Sequence, residues 1–393
     1  MKTAEYFDVI IVGSGPAGSS AAKRACDAGL SVAVLDKAKF PRDKLCGGLF
    51  TGRSQKALRS IFDRDVTDDL FLTSRHMRFL ASGKVLADIP DAPAVHLTMR
   101  REFDKMLHDR AVAAGARAFL GVVVTGFDVP ASVVTLKSGQ TLRYGVLIGA
   151  DGVNSFVARE LYGRAFNPET IGFGLEVEDP LTPERDGAVE VDFDAAQWGY
   201  GWSFPKRKTA TVGVGGINFR NADMKSNMAR YVDQVGADAS LRYKGQYLPF
   251  GDYRKRPGRG NILLAGDAAG LVDPITGEGI ALAMESGALA AEAAQTAILQ
   301  EKQHAAFPIY RAALKPIHDD LKQARLWRMV MFPDATQAHF KRAFSKRSEL
   351  QRKYLELLAG EVGYADLRSD LMQRLPKLVW RLATHRLGFS RTS

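Results

Sequence analysis

Phe7-Asp8-Val9-Ile10-Ile11-Val12-Gly13-Ser14-Gly15-Pro16-Ala17-Gly18 passes from an apolar run through a glycine turn into small residues. The run from Phe7 to Val12 reads as a buried strand, Pro16 to Ala28 as a helix and Val32 to Leu35 as a second buried strand. That order is a βαβ unit. Gly13, Gly15 and Gly18 fit G-x-G-x-x-G at the strand-to-helix turn, the context in which this pattern holds a dinucleotide. Gly13 permits the tight turn, Gly15 lets the backbone approach a pyrophosphate, and Gly18 lets helix and strand pack closely. Pro16 and Ala17 open the helix whose N-terminus faces the phosphate charge. Asp36, followed by Lys37, ends the second strand and is placed to accept hydrogen bonds from a ribose.

A second turn of this kind lies far down the chain, where Asn261 to Ala265 reads as a buried strand leading into Gly266-Asp267-Ala268-Ala269. Two phosphate-facing turns suit a long ligand, FAD. Asp267 is then placed near the ribityl chain or its phosphate. Pro274-Ile275-Thr276-Gly277-Glu278-Gly279-Ile280 opens an alanine-rich helix predicted from about Gly277 to Leu299. Backbone N–H groups at Gly277, Gly279 and Ile280 would face the flavin pyrimidine edge and stabilise the charge of reduced flavin.

Between the two turns the texture changes. Strand-like pieces from about Phe166 to Phe219, among them Ala188 to Phe193, Gly199 to Phe204 and Thr209 to Gly215, read as an antiparallel sheet. The expected fold is therefore α/β with an α+β substrate part. A Rossmann-like FAD-binding domain of glutathione-reductase type is discontinuous over 1–75, 100–165 and 255–300. The substrate domain is inserted over 76–99 and 166–254. Residues 301–393 form a helical C-terminal region, broken at Pro308, Pro316, Pro333 and Pro376.

A chain of 393 residues, 46% hydrophobic, buries a core of two-domain size. Its formal charge of +10 is uneven: residues 340–393 hold 12 Lys and Arg against 5 Asp and Glu. The basic residues lack aromatic interleaving or a nucleic-acid motif, so nucleic acid is not an expected partner. Two cysteines and the absence of a signal-peptide pattern lead to an expected cytoplasmic location. With no long uncharged apolar stretch, any membrane contact is expected to be peripheral, through the basic C-terminal region, which is equally suited to a partner protein. The seven histidines and two cysteines show no metal-ligand grouping, and no metal is expected.

Gly149-Ala150-Asp151-Gly152 supplies a middle Asp-Gly segment, and Arg100-Arg101-Glu102-Phe103-Asp104 an R-x-x-F-D pattern. With the two glycine turns, these resemble the para-hydroxybenzoate hydroxylase and geranylgeranyl reductase superfamily of flavoproteins over about residues 5 to 300. The resemblance implies that Asp151 and Arg100 lie near the FAD. Tyr200-Gly201-Trp202-Ser203-Phe204-Pro205-Lys206 matches the geranylgeranyl reductases' Y-x-W-x-F-P-K pattern, which looks like part of a substrate-cavity wall. Lys44-Leu45-Cys46-Gly47-Gly48 resembles their K-x-C-G loop, whose cysteine lies near the active site. The usual proline after these glycines is replaced by Leu49-Phe50-Thr51-Gly52-Arg53.

Period-2 spacing puts Tyr200, Trp202 and Phe204 on one strand face, where they either line an apolar pocket or pack the sheet core. The resemblance implies an FAD-dependent oxidoreductase that passes hydride from reduced flavin to an apolar substrate of isoprenoid type. Cys46 or water would supply the proton. The reductant is expected to be a visiting NAD(P)H or a protein, because no second central G-x-G-x-x-G is present. Two alternatives stay open: an FAD monooxygenase acting as hydroxylase or halogenase, and a maturation factor that modifies a side chain of a partner enzyme.

Overall fold

The structure, a computed structural model, describes residues 4–180 and 187–367. The chain opens with β1 (Glu5–Val12), α1 (Pro16–Asp27) and β2 (Val32–Asp36). Then come β3 (Leu49–Phe50), α2 (Gly52–Phe62), β4 (Phe71–Ser74), β5 (Met77–Ala81), β6 (Lys84–Ile89), β7 (Val95–Thr98) and α3 (Arg100–Ala113). A second stretch comprises β8 (Arg117–Leu120), β9 (Val124–Asp128), β10 (Val133–Leu136), β11 (Thr141–Gly149) and α4 (Phe156–Tyr162). It is followed by β12 (Gly172–Pro180), β13 (Val189–Asp192), β14 (Tyr200–Pro205), β15 (Thr209–Ile217), α5 (Met224–Gln234) and β16 (Lys244–Leu248). The last elements are β17 (Gly258–Arg259), β18 (Ile262–Leu264), α6 (Ile280–Leu299), α7 (Ala306–Ala313), α8 (Lys315–Met331), α9 (Asp334–Lys346) and α10 (Ser348–Leu358).

Parallel strands β18, β11, β1, β2 and β8 form the spine of an eight-stranded sheet. The apolar runs of β18, β11, β1 and β2 are buried on both faces, as a parallel sheet requires, while the edge strand β8 is only partly covered. Val9, Ile10 and Ile11 of β1 and Val146, Leu147 and Ile148 of β11 are all inaccessible. Helix α1 lies directly on α6: a Cβ added at Gly287 would stand 2.0 Å from the Ala17 carbonyl oxygen.

The second sheet has seven strands in the order β16-β12-β15-β14-β13-β5-β6. It departs from the expected antiparallel sheet in one place, because β13 pairs with β5 in parallel. Leu175, Val177, Val212 and Val214 point to one face and pack under α5 through Met228, Tyr231 and Val232. Pairing registers put Glu176, Gly213, Trp202, Val191 and Phe79 in one row on the other face. Half of that face is covered by α9 and α10 through Phe344, Leu355 and Leu358. The other half lies open toward the first sheet. A small sheet, β3-β7-β4, joins the two parts.

Several expectations are corrected. Strand β12 begins at Gly172 rather than near Phe166, and α5, capped by Asp223 through the Ser226 N–H, was not anticipated. A boundary at residue 300 cuts a continuous core, since Phe307, Tyr310, Leu314, Ile317 and Leu321 pack with β1, β11 and β18. Tyr310 donates from its hydroxyl to the Leu264 carbonyl at 2.9 Å. Pro308 does not break a helix. It lies in the first turn of α7, where its missing N–H is not needed, and Pro316 has the same place in α8. Pro376 and the rest of the basic segment after 367 lie outside the described residues.

Candidate active site

A cavity of about 610 Å³ lies between the two sheets. On one side it is lined by Gly13, Gly15, Pro16, Ala17, Asp36 and Lys37, on the other by Tyr200, Trp202, Phe204 and Leu248. The loop at 44–48, Arg100, Asp151, Asp267 and the segment 274–280 also border it. Gly266, by contrast, is buried behind it, held by Ser286 Oγ on its N–H at 2.9 Å.

The glycine turn has the form that a phosphate cradle needs. Gly13 sits at φ +99°, and a Cβ there would stand 2.3 Å from the Ala150 carbonyl oxygen. Its N–H donates to the Leu35 carbonyl at 2.7 Å. Gly15 caps α1 without a side-chain hydrogen bond and with no acidic residue in the first turn, so the helix presents bare N–H groups. Asp36 is oriented by the Ser14 N–H at 2.7 Å and the Ala38 N–H at 2.8 Å. Helix α6 supplies a second start without a side-chain cap, at Gly279. It begins three residues later than the sequence reading placed it. Asp273 Oδ1 binds the Ile275 and Thr276 N–H groups, and Gly277 takes φ +72°, which holds 274–279 as a loop. These groups fit a dinucleotide flavin: a polarised phosphate site, a fixed carboxylate for ribose, Asp267 and a second polarised helix start on one cavity.

Asp151 does not present a free carboxylate to this cavity. Ser155 Oγ and the Phe156 and Val157 N–H groups, at 2.6 and 3.2 Å, hold it at the start of α4. Arg100 is tied to Asp104 through Nε at 2.7 Å and Nη2 at 2.9 Å, with Cys46 also in hydrogen-bonding reach. Burial lowers the pKa of Lys44, and Asp267 opposes that shift.

Tyr200 is a strut. Its hydroxyl donates to the Thr276 carbonyl at 2.5 Å and joins the second sheet to the loop before α6. The Trp202 indole lies flat because Gly213 leaves room: a Cβ there would meet it at 2.4 Å. Gly174 and Gly215 extend this bare floor under the same ring. The loop at 44–48 covers Trp202 and Phe204. Gly47 touches both rings, Lys206 Nζ holds the Gly47 carbonyl, and the Cys46 N–H donates to Glu176 Oε1 at 2.9 Å.

Glu176 is a site residue that sequence reasoning missed, and Lys206 and Glu278, quoted there only within longer segments, were given no role of their own. Leu175 and Val177 alternate with Glu176 and Glu178, a pattern that reads as an exposed polar face; here that face is the cavity wall. Glu278 Oε1 accepts from the Thr51 and Ser54 hydroxyls. Burial pushes its pKa up to about 7, against the Thr51 bond and Arg53. The unfolded chain releases this proton near 4.5, so the stability of the neutral carboxyl is complete below that pH and lost as pH rises to about 7. Glu278→Gln should remove a pH-dependent contribution on the order of 3 kcal/mol. Melting temperatures of the FAD-free protein at pH 4.5 and 7.5 should move closer together than in wild type. Glu176 titrates over the same window and leaves a residual slope.

A family model described as an FAD binding domain matches residues 6–193. Geranylgeranyl diphosphate reductase of Rhodobacter capsulatus is 32% identical, over 79% of this chain and 81% of its own. Menaquinone reductase of Mycolicibacterium smegmatis is 33% identical over 72% and 75%. A geranylgeranyl bacteriochlorophyll reductase-like protein of Thermoplasma acidophilum shares the fold, with TM-score 0.72 and 20% identity over 91% of this chain and 92% of that one. Together with a cavity that carries both the nucleotide turn and the aromatic strand, these likenesses establish that the chain belongs to the geranylgeranyl reductase family of FAD-dependent oxidoreductases.

Proposed function

We propose that this enzyme reduces an isolated carbon–carbon double bond of an apolar, isoprenoid-type small molecule. The observation that carries the reading is the flat Trp202 indole on its glycine floor, in the same cavity as the Gly13–Gly18 turn. FAD, when bound and reduced, supplies hydride. The Gly13–Gly18 turn, Asp36 and Asp267 hold the nucleotide, and the starts of α1 and α6 stabilise its negative charge. Trp202, Phe204 and Leu248 exclude water and take the apolar chain. Tyr200 fixes the spacing between sheet and flavin loop. The reductant that recharges the site is a visiting NAD(P)H or a donor protein.

Anaerobic mixing of reduced enzyme with a geranylgeranyl compound tests this reading. The expected result is reoxidation of flavin with formation of a saturated bond in equal amount. Reoxidation by oxygen alone would overturn it in favour of a hydroxylase. Trp202→Ala should keep its FAD content while raising the KM for the prenyl substrate about tenfold or more, equivalent to about 1.4 kcal/mol of lost apolar contact. An unchanged KM would remove Trp202 from the substrate wall.

A further inference from the structure

Glu176 stands where a charge is hard to keep. It is 5% exposed, its row on the sheet runs from Lys244 on the edge strand β16 through Gly213 to Trp202, and it borders the cavity. Oε1 accepts the Cys46 N–H, whereas Oε2 is buried without a hydrogen-bond partner. Trp202 Nε1 beside the cavity is likewise unpartnered. A buried carboxylate with an orphan oxygen costs several kcal/mol, and protonation relieves most of it. Cys46, the other candidate for a proton role, is differently placed: its sulfur accepts the Gly48 N–H at 3.4 Å, and its own N–H fixes the rotamer of Glu176.

We propose that Glu176 is the acid of this site: its carboxyl, protonated and at the cavity wall, delivers the proton that completes addition of hydrogen across the substrate double bond. This rests on the reduction reading above. Hydride arrives with its electron pair from reduced flavin at one alkene carbon, and the Glu176 proton goes to the other. The π bond breaks, two C–H bonds form, flavin is oxidised and a carboxylate remains. Burial pushes the Glu176 pKa up to about 7, and Glu178 on the same strand adds to that. The Cys46 N–H, Lys206 from the end of β14 and Lys44 from the covering loop act in the opposite direction. Glu178 is itself held by the Thr209 and Thr211 hydroxyls. Burial pushes the Lys206 pKa down to about 8, and its Nζ is held by the Gly47 carbonyl. The two lysines also stabilise the carboxylate that proton transfer leaves behind.

Two measurements on the FAD-loaded enzyme test this. Infrared titration without substrate should show, above the Glu278 carboxyl signal that both proteins share, a protonated-carboxyl band with a midpoint near 7 that disappears in Glu176→Gln, a variant that retains an acceptor for the Cys46 N–H. The midpoint should rise in Lys206→Met. Anaerobic reoxidation of reduced flavin by a prenyl alkene should slow by about 10²–10⁴-fold in Glu176→Gln at unchanged FAD content. The wild-type rate should fall as pH rises through 7. A wild-type rate and pH profile in Glu176→Gln, or no such band in the wild type, overturns the proposal. If wild type reduces no alkene yet the band is present and lost in Glu176→Gln, the buried acid stands and the substrate reading fails. If Glu176→Gln does not accumulate, an unchanged midpoint in Lys206→Met overturns the assignment.

Discussion

Gly13→Ala should yield protein with almost no bound FAD and a folded state weakened by about 2–5 kcal/mol. Two costs combine. A non-glycine residue at φ +99° pays about 1–2 kcal/mol for the left-handed region. The added methyl would also stand 2.3 Å from the Ala150 carbonyl oxygen, an overpacking cost of about 1–3 kcal/mol if the backbone shifts to relieve it. That shift falls on the junction of β1 and β11, whose ends carry the turn and Asp151. The Gly13 N–H would then leave the Leu35 carbonyl, and the neighbouring Ser14 N–H would leave Asp36. One methyl group thus disturbs both the glycine turn and the seating of the Asp36 carboxylate. Flavin absorbance per protein after purification checks the first effect and chemical denaturation of the FAD-free protein the second. Near-stoichiometric flavin would show that this turn is not where the nucleotide binds.

Phe344→Ala should cost about 3–5 kcal/mol, the usual loss for a fully buried phenylalanine. With roughly 2 cal/mol/K of unfolding entropy per residue, that is a fall of about 4–6 °C in Tm. Phe344 packs edge-on to Phe79 at 5.1 Å between ring centres, and lies 5.7 Å from Phe193 and 5.6 Å from Phe340. Phe79 belongs to the second sheet and Phe193 directly follows its strand β13, so the effect measures how firmly α9 and α10 are part of that domain. The pocket should report it too, because Leu358 and Phe332 line the cavity and Tyr364 donates to Asp273, which holds the loop before α6. A loss under about 1 kcal/mol would mean that these helices form a detachable tail.

What could be read in the sequence follows from range. Gly13, Gly15 and Gly18 are legible because a turn is local, and the buried runs of β1, β2, β11 and β18 because a parallel sheet demands unbroken apolar stretches. Trp202 and its neighbours are legible as a face by their period. What that face meets is not, since it depends on which strands pair and on which side α5 packs. Glu176 shows the limit most clearly: alternation marks it as polar-facing, and only the placement of the second sheet over the first turns that side inward. Asp151 fails for a different reason. Its segment marks a turn at the cavity, but whether the carboxylate faces the cavity or the next helix is decided by Ser155 and two N–H groups.

The bare floor beneath Trp202 also makes the pocket wall sensitive to a single methyl group. Gly174, Gly213 and Gly215 lie below the ring and Gly47 lies against it, so the height at which the indole sits is set by atoms that the sequence leaves out. A Cβ at Gly213 would stand 2.4 Å from the ring and lift it from its bed, displacing the wall without adding an atom to the wall itself.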